Sequence, residues 1–170
     1  VANNITLYAH WTANTDTAYK VEHYQMNVDG NGYTLKEIQN LTGTTGATVT
    51  GTYKTYTGFE KNESHTSTIK SGVIKADGSL VLKLYYTRNQ YTITLKAGTG
   101  IDSVTGAGKY YYQQSFTISA TVKSGYKFNN WTYTTASVTN QTNWSGANPA
   151  SNTMQAYDIT FTANATAISY

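Results

Sequence analysis

A chain of 170 residues without cysteine holds no disulfide framework and no thiolate metal site. Charged residues make up 12% of it, well under the ~25% usual in a soluble domain, and the net charge is +3. The basic residues are scattered, which leaves no phosphate-binding stripe and speaks against nucleic acid as a partner; no apolar run reaches the ~18 residues of a spanning helix, so membrane insertion is not expected.

Thr, Asn, Ser, Gln and Gly must keep the chain in solution, and its 16 Tyr suit a pleated, half-buried surface. Alternation of period two runs through the chain, and long helical periodicity does not. Ile5, Leu7, Ala9 and Trp11 share one face of the opening stretch; Thr6, Tyr8, His10 and Thr12 share the other. Strands follow over 19–26 and 33–40, separated by the hairpin signal Asp29-Gly30-Asn31-Gly32. Short helical turns are the exceptions to expect, at 35–41 or 47–53. Residues 73–76 and 80–87 flank a second hairpin signal, Asp77-Gly78. Strands over 91–96, 110–122, 126–134 and 159–163 complete the set. The fold class is therefore all-β or mainly β with little helix, in two small β-sheet modules.

The division into modules rests on an internal repeat. Asn4-Ile5-Thr6-Leu7-Tyr8-Ala9-His10-Trp11-Thr12 resembles Asp158-Ile159-Thr160-Phe161-Thr162-Ala163-Asn164-Ala165-Thr166, at an offset of 158 − 4 = 154 residues and with no third copy between them. Two different modules alternating with that combined period explain it. Residues 1–15 are then the terminal strand of a preceding repeat, 16–89 one module and 90–170 the next. The join Thr87-Arg88-Asn89-Gln90 is too short for a flexible linker, so a stiff rod is expected. The opening strand lacks its own module; it is expected to be disordered, to pair along the first module, or to dock on a neighbouring molecule.

Residues 90–166 resemble the B-type repeat of internalin-like bacterial surface proteins, the Listeria–Bacteroides repeat. The likeness lies in Tyr91-Thr92-Ile93-Thr94-Leu95, in Gly125-Tyr126-Lys127-Phe128-Asn129-Asn130-Trp131, and in Met154 followed by Asp158-Ile159-Thr160. The chain departs from the pattern at Ala165, where the opening copy has Trp11, and in the insertion Trp144-Ser145-Gly146. Residues 16–89 resemble mucin-binding-protein-like repeats, through Tyr19-Lys20-Val21-Glu22-His23-Tyr24, Leu41-Thr42-Gly43, Tyr56-Thr57-Gly58-Phe59 and Val81-Leu82-Lys83-Leu84-Tyr85-Tyr86. The resemblance implies β-grasp-like or compact β modules in tandem with extracellular display; the absence of cysteine fits either a cytosolic protein or the exterior of a Gram-positive cell, and with the resemblance cell-wall attachment is expected. The resemblance also implies a stalk or adhesin role and brings no active site.

Chemistry elsewhere in the chain is sparse. His10, His23 and His65 show no metalloprotease or triad spacing and are expected at the surface. Glu60 with Glu63 is the nearest approach to a carboxylate pair, in a polar loop with no supporting pattern. Asp29-Gly30-Asn31-Gly32 lacks the Gly and Glu of a calcium loop at its sixth and twelfth positions, where Thr34 and Asn40 stand. Lys20, Lys83 and Lys96 alternate outward, so no Lys–Asn isopeptide crosslink is expected. No catalytic residue, metal or cofactor is assigned, and the chain reads as a non-enzyme.

Aromatic side chains remain. Trp144, in a Thr- and Asn-rich stretch read as a loop, with Tyr111 and Tyr133, are the candidates for contact with a host glycan or protein. Tyr126, Phe128, Trp131, Ile159 and Phe161 are the expected core. The leading reading is an extended spacer whose partners are neighbouring repeats in the same chain; the alternative is an adhesion module.

Overall fold

The computed structural model describes residues 4–169 and, among them, contains fourteen strands and no helix. The strands are β1 (Thr17–Met26), β2 (Tyr33–Gly43), β3 (Thr48–Thr50), β4 (Phe59–Lys61), β5 (Ser71–Val73), β6 (Val81–Arg88), β7 (Gln90–Ala97), β8 (Ile101–Thr105), β9 (Gly108–Tyr111), β10 (Ser115–Val122), β11 (Tyr126–Thr134), β12 (Thr142–Ser145), β13 (Ala150–Thr153) and β14 (Ile159–Ala167). They form four sheets, ordered β2-β1-β6-β4, β3-β5, β13-β10-β8 and β12-β11-β14-β7-β9.

The chain divides into two compact units. The first holds the chain through Tyr24, Thr34–Lys54 and Lys61–Tyr85; the second holds Gln25–Tyr33, Thr55–Glu60 and the chain from Tyr86 onward. The boundaries therefore fall inside β1 and β6.

In the first unit Val21, Ile74, Leu80, Leu82 and Leu84 are buried. Small residues admit this core: a Cβ on Gly43 would lie 2.6 Å from Ile74 Cδ1, and one on Gly72 2.6 Å from Leu80 Cδ1. The helical turns expected near 35–41 and 47–53 are strands instead. β2 runs through the first, and β3 pairs antiparallel with β5, Thr48 opposite Val73; Thr and β-branched residues favour that extended state. Both Asp residues turn the chain by accepting from a backbone N–H two residues on: Asp29 Oδ1 from Asn31 at 2.9 Å and Asp77 Oδ1 from Ser79 at 3.0 Å. Only the first turn makes a hairpin, between β1 and β2; the strand expected over 73–76 is instead β5, which pairs with β3 and lies in a different sheet from β6.

In the second unit the first and last strands of residues 90–169 lie side by side at the centre of the five-stranded sheet. β14 is parallel to β7, with Ile159 opposite Ile93, and antiparallel to β11, with Ala163 opposite Trp131. The sheet β13-β10-β8 shares its core: Ile93, Ile101, Phe116, Ile118, Trp131, Ala150, Met154, Phe161 and Ala163 form one buried cluster. The single strand expected over 110–122 is broken into β9 and β10 by a turn in which Gln113 takes φ 67°. β8, not foreseen, supplies an edge for β10.

The opening alternation forms no strand over residues 4–13. Ile5, Leu7, Tyr8 and Trp11 are 81–90% exposed. Alternation prepares a face, but a strand also needs neighbours for its backbone groups.

Candidate functional site

Trp144 is not in a loop. It lies on β12, which pairs with β11 so that Ser145 stands opposite Trp131. Its ring packs on Phe161 at 4.5 Å between centroids and stacks on Phe116 at 6.2 Å. Beside it is a cavity of about 230 Å³ lined by Phe116, Tyr133, Trp144, Met154, Tyr157 and Phe161, among others. Asn152, Thr153 and Gln155 bring amide and hydroxyl groups to the same cavity, and none of its lining residues carries a charge. The volume is below the ~300 Å³ of small drug pockets and suits one ring. Aromatic faces with neutral hydrogen-bonding groups at the rim are the chemistry that holds an uncharged sugar or a partner's aromatic side chain.

The fold thus brings Trp144 and Tyr133 to one place. Tyr111 is elsewhere: it sits on β9 against Gly30, where a Cβ would come within 2.7 Å of its hydroxyl, and it lines a depression with Glu60 and Arg88. Of the residues expected in the core, Trp131 and Phe161 are 0% and 1% exposed. Phe128 and Ile159 are half-buried against the same cluster. Tyr126 is half-buried over Gly100, whose position would put a Cβ 2.2 Å from Tyr126 Cδ1. The Trp131 indole N–H is buried with no hydrogen-bond partner.

One expectation fails among the histidines. His10 is exposed, but His23 is fully buried beside Val21, its Nε2 2.7 Å from Gln39 Oε1. His65 is half-buried, stacked on the Tyr85 ring at 3.9 Å. Glu63 is paired with Lys70 at 2.7 Å and Lys61 at 3.6 Å. The hydrogen bond from Lys70, then the charges of Lys61 and Lys70, hold its carboxyl below the usual range. An exposed carboxylate held ionised in this way is a poor general acid.

The residue that sequence reasoning missed is Arg88. Its Nε donates to the Met26 carbonyl at 3.0 Å. Its Nη1 donates to the Tyr112 carbonyl at 2.8 Å and to Gln113 Oε1 at 3.1 Å. Its guanidinium lies 4.6 Å from the Phe59 ring centroid. Burial pushes its pKa below the ordinary guanidinium range. Around it, Asn89 N–H donates to Gly58 O and Tyr112 N–H to Asn89 O, both at 2.9 Å. All these residues belong to the second unit. A signal was available: Arg88 is the only arginine in a chain that otherwise uses lysine, and arginine is preferred where one side chain must serve several acceptors.

Residues 91–169 match the family described as the Divergent InlB B-repeat domain. The match supports the B-type repeat assigned to that stretch and makes it similar to a repeat module of bacterial surface proteins. No curated protein and no solved structure matches the chain.

Proposed function

We propose that the chain is a stalk segment of a bacterial cell-surface protein, attached to the cell wall and acting as an extended spacer. In this reading 16–89 is a mucin-binding-protein-like module, 90–170 a B-type repeat, and 1–15 the end of a preceding repeat. What supports it is the family match over 91–169, a repeat module of bacterial surface proteins, together with the likeness of residues 4–12 to 158–166. Such a segment supplies length, and chemistry is not required of it. The test is to display the chain on a Gram-positive surface in one, two and three copies beneath a distal tag. Tag height rising in equal steps, with adhesion unchanged, is expected; height that does not grow with copy number overturns the spacer.

A second reading is adhesion to a host glycan or protein, and the cavity beside Trp144 favours it. A glycan array with the intact chain tests this. Binding that is lost in Tyr157→Ala, a change on an exposed lining residue, would put adhesion ahead of spacing.

A further inference from the structure

We infer that residues 4–12 are the closing strand of another B-type repeat, and that their partner is the slot between β7-like and β11-like strands of a preceding repeat in the same polypeptide. The inference deepens the spacer reading by naming what the exposed apolar stripe meets.

The fold of β14 shows what each position in this nonapeptide does. Phe161 and Ala163 are 1% and 0% exposed and point into the core; Leu7 and Ala9 stand at those places. Ala163 pairs with Trp131 on one side and Ala97 on the other, and a side chain larger than alanine would have to displace that core. The opening copy keeps Ala there. Asp158 Oδ1 accepts from Thr92 N–H at 2.7 Å, fixing the start of the strand against β7; Asn4 carries an equivalent oxygen. Asn164 Nδ2 donates to Thr132 Oγ1 at 3.1 Å; His10 retains a donor. Ile5, Thr6 and Thr12 are identical to Ile159, Thr160 and Thr166.

A merely amphipathic strand would reproduce the alternation but not the small residue at the most buried site, nor the acceptor at its start. One position differs in kind: Trp11 replaces Ala165, which stands opposite Phe128. The partner repeat therefore carries a smaller side chain where this one has Phe128. Ile5, Leu7 and Trp11, at 81–89% exposure, are the unfilled half of that pairing.

The test grafts the opening sequence, Trp11 apart, into the β14 slot of the full chain: Asp158→Asn, Phe161→Leu, Thr162→Tyr and Asn164→His together. Cooperative unfolding with a midpoint lowered by less than about 10 °C is expected; a graft that loses cooperative unfolding overturns the assignment. The same residues placed one position out of register should abolish the transition, since the apolar set then faces outward; a shifted graft as stable as the first also overturns it. Partner choice is read by adding Ala165→Trp to the graft, which places the Trp11 side chain opposite Phe128. Cooperative unfolding lost with Phe128 in place and regained with Phe128→Ala supports the pairing. A loss that Phe128→Ala does not relieve, or no loss at all, refutes it. Either failure leaves the tag-height measurement standing, so the strand assignment and the spacer reading fall separately.

Discussion

Arg88 and Tyr112 are joined by a 2.8 Å hydrogen bond from guanidinium to backbone carbonyl, although they lie on opposite sides of β7 and β9 in sequence. The same guanidinium reaches Met26 and Gln113 and covers Phe59. Arg88→Ala leaves those acceptors to water and should cost about 2–3 kcal/mol, a typical loss for bonds to a charged donor. Arg88→Lys should recover less than half, because an ammonium lacks the fork that serves Met26 and Tyr112 together. Urea unfolding of the three proteins measures both; equal stability of the lysine and arginine forms would show that charge alone matters.

Gly58 underlies the same turn. It takes φ +78°, and a Cβ there would sit 2.2 Å from the Tyr112 ring. Gly125 has nearly the same backbone, φ +80°, with nothing within 4 Å. Gly125→Ala should therefore cost only the backbone strain, about 1 kcal/mol, and Gly58→Ala at least ~2 kcal/mol. Thermal unfolding of the pair separates conformational strain from steric displacement.

Tyr24 donates to Glu22 Oε2 at 2.5 Å along one face of β1. That hydrogen bond first, then burial, pushes the phenol up to about 12 from its usual 10.0. A group whose folded pKa is raised stabilises the fold fully below its unfolded pKa and loses the contribution as pH rises through the folded value. The alkaline limb of stability should thus fall between pH 10 and about 12. Tyr24→Phe should be less stable at neutral pH and flatter across that window, as denaturation midpoints at successive pH values will show.

Trp144 carries packing as well as any binding. Trp144→Ala removes contacts to Phe116 and Phe161 and should cost about 2–4 kcal/mol. Tyr157, 46% exposed on the rim of the same cavity, should tolerate Ala within ~0.5 kcal/mol. Calorimetry of both variants decides which is fit for a binding assay.

Much of the fold was readable where local chemistry acts alone. Asp29 and Asp77 turn the chain with their own side chains, and Gly125-Tyr126-Lys127-Phe128 marks a strand by simple alternation. β8 was not readable because Ile101 and Val104 are three residues apart, out of period two. The irregularity is absorbed on β10, whose register shifts between Thr121 and Val122. His23 was misjudged by residue type, although it shares the Tyr19 and Val21 face and the pattern placed it inward. Trp144 was misjudged by its neighbours: Thr, Asn and Gly look like a loop, yet an edge strand needs only one paired side. The cavity joins Tyr133 to residues near 152–161, a convergence that depends on tertiary pairing.

The central place of β14 sets an order of events. Its neighbours β7 and β11 are both made earlier, yet neither can satisfy the backbone groups facing the gap until the last segment arrives. The second unit therefore stays open until its last segment is threaded between them.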